Sequence, residues 1–230
     1  MAVLADRRET ILILGGTAEA AAIARRLVAA GADVVTSLAG RTSKPAPLPG
    51  RIRIGGFGGA EGLARYIAEN DITRVIDATH PFANRISQNA RLACAAAGIP
   101  LERPERPAWE KQPGDNWIEV KSLGDAAAAL PSGARVFLAL GRQHLAVFES
   151  RPDCHFVVRM VDPPEKPLGL AGYDLILGKP SADPHEEADL FRVHQITHLV
   201  CRNSGGEAGY GKIAAARSMG LPVVMVGRAA

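Results

Sequence analysis

The chain has 230 residues, of which 47% are hydrophobic and 22% charged, and its formal net charge is +3. This composition is typical of a folded protein with one large or two small domains, and it excludes a disordered chain. The small charge and the scattered basic residues exclude a nucleic-acid-binding protein, and each apolar run is broken before it reaches the length of a membrane span. We expect a cytoplasmic protein, because the first ten residues also lack the apolar region of a secretion signal.

The first element is a strand, a turn and a helix at residues 11–31. Four apolar residues, 11–14, lead into Gly15-Gly16-Thr17 and an alanine-rich run that ends at Gly31. Glycine allows a sharp turn and a close approach to phosphate, and the first N–H groups of a helix bind anions. The pattern departs from Gly-x-Gly-x-x-Gly, because Thr17 and Ala20 occupy two of the glycine positions. A phosphate site and an ordinary strand-to-helix turn therefore both remain open.

The second strand, residues 32–38, leads to a segment that bears on the choice of cofactor. An NAD site carries an acidic residue about 20 positions after the first glycine, where it binds the ribose 2′-hydroxyl. Here residues 36–44 contain no acid but include Arg41, Lys44 and several hydroxyl groups. Arginine and hydroxyl groups bind a 2′-phosphate, so this segment favours NADP over NAD. The alternative is a polar surface loop.

Two further strand exits follow in the first half of the chain. A short strand at 51–54 enters Gly55-Gly56-Phe57-Gly58-Gly59, which is either a second close approach to a ligand or a mobile loop. A buried strand at 72–79 ends at Thr79-His80-Pro81, on the same sheet edge as the first glycine turn. The predicted cofactor-binding residues are Gly15, Gly16, Thr17, Ser37, Ala39, Gly40, Arg41, Thr42, Ser43, Thr79, His80 and Pro81.

The proline-rich join at 103–109 marks a domain boundary, which we place so that the domains are 1–104 and 105–230. The second domain again alternates strands and helices. If its sheet is parallel, polar groups after its strands meet on one edge and form a cationic crevice facing the first domain. Such a crevice fits a substrate with several carboxylates or phosphates. The predicted substrate-binding residues are Arg142, Lys179, Ser181, Arg202, Asn203, Ser204, Gly205 and Lys212.

Two competing motifs carry less weight. Residues 206–212 have the spacing Gly-x4-Gly-Lys of a phosphate loop, but Ile213 follows where magnesium coordination needs Ser or Thr. A P-loop phosphotransferase is thus a minority alternative. His194 and His198 have the spacing of a zinc protease, but Gln195 replaces its glutamate and the pair straddles a predicted helix end, so we predict no metal site.

Several segments together resemble the precorrin-6A and cobalt-precorrin-6A reductase family of cobalamin biosynthesis. The similarity spans nearly the whole chain, and the segments at 55–64 and 77–83 are the most specific. The segments are Ile-Leu-Gly-Gly-Thr-Ala-Glu-Ala (13–20), Ser-Leu-Ala-Gly-Arg (37–41), Gly-Gly-Phe-Gly-Gly-Ala-Glu-Gly-Leu-Ala (55–64), Asp-Ala-Thr-His-Pro-Phe-Ala (77–83), Arg-Pro-Ala-Trp (106–109), Asn-Ser-Gly-Gly (203–206) and Lys-Ile-Ala-Ala-Ala-Arg (212–217).

The resemblance implies an α/β protein with two Rossmann-like domains, mainly parallel sheets and a ligand cleft between them. It implies hydride transfer from NADPH to one double bond of the tetrapyrrole, with NADPH on domain 1–104 and the tetrapyrrole on domain 105–230. A proton must also reach the ring, and His80 is the candidate donor beside bound water or a substrate carboxyl group. An NADP-sensing protein without catalysis is the alternative. The sequence leaves open the cobalt content of the substrate and the oligomeric state, a monomer being one option.

Overall fold

A computed structural model describes residues 9–40 and 47–228 of the chain. The chain divides into two compact units, Met1–Glu105 and Arg106–Ala230. Within the described residues, no helix is both long and apolar enough to cross a membrane. Each unit is an α/β structure with one parallel sheet, which confirms the predicted α/β class with mainly parallel sheets.

The first unit contains a five-stranded sheet with the strand order β3-β2-β1-β4-β5. All of its strand pairs are parallel. Its elements are β1 (Thr10–Leu14), α1 (Ala18–Ala29), β2 (Asp33–Leu38), β3 (Arg51–Ile54), α2 (Ala60–Glu69), β4 (Arg74–Asp77), α3 (Asn84–Ala97) and β5 (Leu101–Glu102).

The second unit contains a six-stranded sheet with the order β6-β11-β10-β7-β8-β9, and its pairs are also parallel. Short 3-10 turns lie at Arg142–His144, Ala146–Ser150 and Glu207–Gly209. The regular elements are β6 (Asn116–Val120), α4 (Leu123–Ala128), β7 (Arg135–Ala139), β8 (His155–Met160), β9 (Tyr173–Leu177), α5 (Pro184–Val193), β10 (His198–Arg202), α6 (Gly211–Ser218) and β11 (Pro222–Val226).

Both sheets repeat one strand order. In the first unit the chain runs outward from β1 through β2 to β3, and then returns to the other side of β1 with β4 and β5. In the second unit β7 takes the place of β1, β10 takes that of β4, and β6 is added at the edge. Open parallel sheets bind ligands at the carboxyl ends of the strands where the order reverses. The two candidate positions are therefore β1/β4 and β7/β10.

Helices cover both faces of each sheet because consecutive residues of the central strands are apolar and point to opposite faces. Ile11 and Ile13 pack with α1, whereas Leu12 and Leu14 pack with α2 and α3. In the second unit Phe137 packs with α5 and α6, and the residues on either side of it pack with α4. Cys94, Cys154 and Cys201 are buried free thiols. These cores fix the strand ends that carry the candidate site.

Candidate functional site

The turn after β1 favours glycine at both positions, for different reasons. A Cβ on Gly15 would lie 3.0 Å from the Cγ2 atom of Thr36, so the turn packs tightly on β2. Gly16 has open space around it but a φ of +103°, which strongly favours glycine. The turn thus brings backbone, without side chains, to the N-terminus of α1. An anion can approach such a helix end closely.

Thr17 is the N-cap of α1 and also ties the helix to β4. Its Oγ1 atom accepts a hydrogen bond of 3.1 Å from the N–H group of Ala20. The same hydroxyl group donates to the carbonyl oxygen of Ala78 over 2.8 Å. One side chain therefore joins the two strand exits at the point where the strand order reverses.

The exit of β4 is organised by a buried carboxylate that sequence reasoning did not assign to the site. Asp77 is 3% exposed, and its Oδ1 atom accepts hydrogen bonds from the hydroxyl group (2.6 Å) and the N–H group (3.2 Å) of Thr79. Arg103 lies with its Nε atom 3.8 Å from Oδ2. Asp77 thus sets the position of the Thr79 hydroxyl group.

His80 follows directly on this turn. Its Nδ1 atom accepts a hydrogen bond of 3.3 Å from the N–H group of Phe82. An acceptor nitrogen carries no proton, so the neutral ring holds its proton on Nε2. The ring and the neighbouring Pro81 are both partly exposed. In this form His80 can donate a hydrogen bond from Nε2, and delivery of a proton requires the imidazolium, in which Nδ1 is protonated as well.

The exit of β2 shows part of the predicted 2′-phosphate segment. Ser37 is 6% exposed, and its carbonyl oxygen accepts from the N–H group of Gly15 over 2.9 Å. Ala39 and Gly40 are exposed, and none of the residues 36–40 is acidic. Arg41, Thr42 and Ser43 lie outside the described residues.

The glycine-rich loop 55–59 is held by Arg53, a residue that sequence reasoning missed. The Arg53 guanidinium group donates to the carbonyl oxygens of Gly55 (2.6 Å) and Gly56 (2.8 Å) and stacks on Phe57, with Cζ 3.8 Å from the ring centroid. Ser37 is its partner in the register of β2 and β3. The contacts favour an ordered loop over the mobile one, and they place a further cation beside β2.

In the second unit, two predicted arginines lie at the exits of β7 and β10. Arg142 is exposed in the 3-10 turn after β7. Arg202 ends β10, and its Nη1 atom lies 3.1 Å from Nε2 of His144 in that turn. The structure thus brings this pair of strand exits into contact. Lys179 is exposed after β9, which lies two strands from β7. It follows the carboxyl end of its strand, as Arg142 does.

Ser181 lies in a loop that a buried ion pair supports. Arg159 donates to both carboxylate oxygens of Glu187, over 2.7 and 3.1 Å, and the two side chains are 8% and 1% exposed. The same carboxylate accepts from the N–H group of Ser181 over 2.7 Å. The two residues lie 28 positions apart and form no local motif, so this ion pair could not be predicted from the sequence.

Two predicted substrate ligands have side chains that are buried instead. The Asn203 amide is bonded to the backbone of Trp109, accepting from its N–H group (2.7 Å) and donating to its carbonyl oxygen (2.9 Å). The Lys212 ammonium group donates to the carbonyl oxygen of Gly209 and lies 4.7 Å from the Trp109 ring centroid. Burial lowers the pKa of Lys212. These side chains do not belong to the exposed cationic edge that the sequence predicts, whereas Ser204 is partly exposed and Gly205 contributes backbone.

The histidine pair that resembles a zinc motif is split between two elements. His194 is the C-cap of α5 and His198 begins β10, so the two do not share a helix face. Within residues 9–40 and 47–228, no group of three or more His, Cys, Asp or Glu side chains has an arrangement that could hold a metal ion.

Comparison with known proteins places the chain in a family. The family model described as precorrin-6x reductase CbiJ/CobK matches residues 10–230. The chain is 48% identical to the precorrin-6A reductase of Sinorhizobium sp over 226 residues, which is 97% of this chain and 87% of the relative. It is 46% identical to the precorrin-6A reductase of Rhodobacter capsulatus over 221 residues, 96% of this chain and 88% of the relative.

A solved structure agrees with these relatives. The structure of CobK precorrin-6A reductase matches with a TM-score of 0.94 and 45% sequence identity, over 96% of this chain and 89% of the other. The agreement covers both units. The chain therefore belongs to the CbiJ/CobK family of precorrin-6x reductases, which are oxidoreductases acting on a CH–CH group.

Proposed function

We propose that this protein reduces one double bond of precorrin-6A in cobalamin biosynthesis, with NADPH as the hydride donor. The observation that carries the proposal is the strand exit at β1/β4, where Gly15-Gly16-Thr17 and Thr79-His80-Pro81 meet at the reversal of strand order. That geometry fits a dinucleotide, and the names of the relatives supply the substrate class.

The residues at this exit fit NADPH. Gly15 and Gly16 leave the start of α1 open to the diphosphate, and Thr17 fixes the helix start. The exit of β2 carries no acid among residues 36–40, so nothing described there repels a 2′-phosphate. Ser37, Ala39 and Gly40 lead into Arg41, Thr42 and Ser43, to which we assign the phosphate. Thr79, His80 and Pro81 would then lie toward the nicotinamide.

The second unit would hold the tetrapyrrole, whose acetate and propionate groups are carboxylates. A guanidinium group binds a carboxylate through two parallel hydrogen bonds. Arg142 and Arg202 stand at the exits of β7 and β10, where a parallel sheet binds its ligand. Lys179, Ser181 and Ser204 extend the same edge with exposed or partly exposed groups, and the buried Gly205 contributes backbone only. We assign the carboxylates of the substrate to this set.

The reduction also needs one proton for the carbon next to the hydride acceptor. His80 is our candidate donor, and it delivers a proton from the imidazolium form, in which both ring nitrogens carry one. In the neutral ring Nδ1 accepts from the N–H group of Phe82, which fixes the tautomer. Bound water and a substrate carboxyl group are the competing donors.

The proposal is tested by an anaerobic assay with purified protein, precorrin-6A and either NADPH or NADH. We expect one NADPH to be oxidised for each macrocycle reduced, with NADH much slower. Cobalt-precorrin-6A in a parallel reaction identifies the substrate form, and deuterated NADPH shows which ring carbon receives the hydride. Binding of NADPH without oxidation in the presence of either macrocycle would instead support the NADP-sensing alternative.

A further inference from the structure

The loop after β10, residues 203–206, is fastened to the segment with which the second unit begins. The Asn203 side chain bonds to both the N–H group and the carbonyl oxygen of Trp109. The indole Nε1 atom of Trp109 donates to the carbonyl oxygen of Gly206 over 2.9 Å. Trp109 therefore holds both ends of a loop that lies 94 positions further along the chain.

Arg228, which follows β11, also joins these two segments. Its Nε and Nη2 atoms donate to the carbonyl oxygens of Asn203 and Ser204, each over 2.9 Å. Its Nη1 atom donates to the carbonyl oxygen of Arg106 over 2.6 Å. A planar guanidinium group can reach three carbonyl oxygens in fixed directions, which the point charge of lysine cannot do.

Gly205 shows how closely the two segments pack. Its φ is +66°, and a Cβ atom there would collide with the carbonyl oxygen of Pro107. The same Cβ would lie 2.7 Å from Nη2 of Arg228. The backbone of the loop therefore packs directly on this segment with no room for a side chain at residue 205. Glycine is needed there for packing as well as for conformation.

Two of the three side chains that hold the loop are buried. Asn203 and Trp109 are each 9% exposed, so they act from behind the loop, whereas Arg228 is exposed and acts through its bonds to the carbonyl oxygens of the loop. The loop itself follows Arg202, at the strand exit to which we assign substrate carboxylates. We propose that Arg228 and Trp109 are positioning residues, which hold loop 203–206 in the geometry that binds a carboxylate of the tetrapyrrole. This inference rests on the proposed function.

The test compares Arg228→Gln with Arg151→Gln. Arg151 is a matched control, because its Nη1 atom also donates to two carbonyl oxygens, those of Ala127 and Leu130, but in the loop before β8 at the opposite edge of the sheet. We expect Arg228→Gln to raise the KM for precorrin-6A about tenfold, with the KM for NADPH unchanged. Arg151→Gln should lower stability but leave both KM values unchanged. Arg228→Lys should have a KM for precorrin-6A between those of the wild type and Arg228→Gln.

Amide hydrogen exchange gives a second readout that needs no substrate. Exchange in a peptide covering residues 203–210 should be faster in Arg228→Gln and unchanged in Arg151→Gln. If Arg228→Gln does not fold, Trp109→Phe decides, since it keeps an aromatic ring and the backbone bonds of residue 109 to Asn203 but removes the bond to Gly206. An unchanged substrate KM, or an equal rise in both KM values, overturns the inference, as does unchanged exchange. A wild-type protein that fails to reduce precorrin-6A overturns the proposed function instead, and the exchange result still decides whether Arg228 holds the loop.

Discussion

The Thr17 hydroxyl group donates a hydrogen bond of 2.8 Å to the carbonyl oxygen of Ala78 while accepting one from the first turn of α1. A single oxygen atom thus sets the distance between the start of α1 and the end of β4. These are the elements on either side of the proposed diphosphate site, so the bond contributes both to stability and to cofactor binding.

Thr17→Val keeps the shape of the side chain and removes both hydrogen bonds. We expect the free energy of unfolding to fall by about 1–3 kcal/mol, the sum of a lost N-cap and a lost bond to a carbonyl group. The affinity for NADPH should fall as well. Thr17→Ser is the matched control, because it retains the hydroxyl group. Urea unfolding and NADPH titration measure the two effects, and equal behaviour of the two variants would contradict this role.

Arg41 is predicted to distinguish NADPH from NADH. The prediction rests on the sequence and on the absence of an acid at 36–40, since Arg41 lies outside the described residues. Arg41→Ala should weaken NADPH binding by about 1.5–3 kcal/mol, as for the loss of a charge-assisted hydrogen bond, and leave NADH nearly unchanged. Arg51→Ala is the control, because Arg51 is an exposed arginine paired with Asp33 over 2.9 Å. Equal weakening of both cofactors would exclude the assigned contact.

Much of the fold could be predicted from local patterns. Gly98 in the sequence predicts a helix end, and α3 does end at Ala97, with Gly98 in the left-handed conformation. The strand predicted over 72–79 is shorter, Arg74–Asp77, because the N–H group of Ile72 bonds back to Ile67 and Asp77 turns the chain through Thr79. Local signals thus found the elements but not all of their ends.

The direction of side chains at the site could not be predicted in the same way. Asn203 and Lys212 follow a strand exit in sequence, as Arg142 does, yet their side chains are buried around Trp109. Their partner, Trp109, lies in the irregular segment before β6, and the alternation of strands and helices does not predict where that segment packs. The same reason applies to Arg228, whose three acceptors come from distant parts of the chain.

Two substitutions at His80 separate proton delivery from hydrogen bonding. Gln can donate a hydrogen bond from nearly the same place as Nε2 but cannot deliver a proton, and Ala can do neither. If His80 is the proton donor, both variants should lower kcat about 100-fold, with the KM for NADPH little changed. A Gln variant that retains most of the wild-type kcat, beside an inactive Ala variant, would assign His80 to binding. Retained kcat in both would leave water or the substrate as the donor.

Charge reversal tests the substrate edge of the second unit. Arg142→Glu should raise the KM for the tetrapyrrole about ten- to 100-fold, because a carboxylate then faces the carboxylates of the substrate. The KM for NADPH should not change. The control is Arg192→Glu, which makes the same change of charge at a different place. Arg192 is exposed near the end of α5, which leads to the amino end of β10. A rise in substrate KM of similar size in both variants would indicate a general charge effect in place of a specific contact.

Cys201 makes the stability of the second unit sensitive to alkaline pH. Burial raises the pKa of its thiol group to about 11, against the smaller opposing effect of the nearby Lys212 ammonium group. In the unfolded chain the thiol loses its proton near its ordinary pKa of about 8.5 to 9, so between that pH and 11 only the folded protein keeps it. The contribution to stability is therefore fully present below about pH 8.5 and is lost as the pH rises through 11.

Urea unfolding at about pH 8 and about pH 10.5 measures this loss. We expect the free energy of unfolding to fall in the wild type by at most about 3 kcal/mol from this thiol, since a shift of two pKa units sets the limit. Other groups also titrate in this range, so the informative quantity is the difference between the wild type and Cys201→Ala. The fall should be smaller in Cys201→Ala, which has no thiol to ionise. An identical fall in the two proteins would show that the Cys201 thiol does not hold its proton more tightly in the folded state.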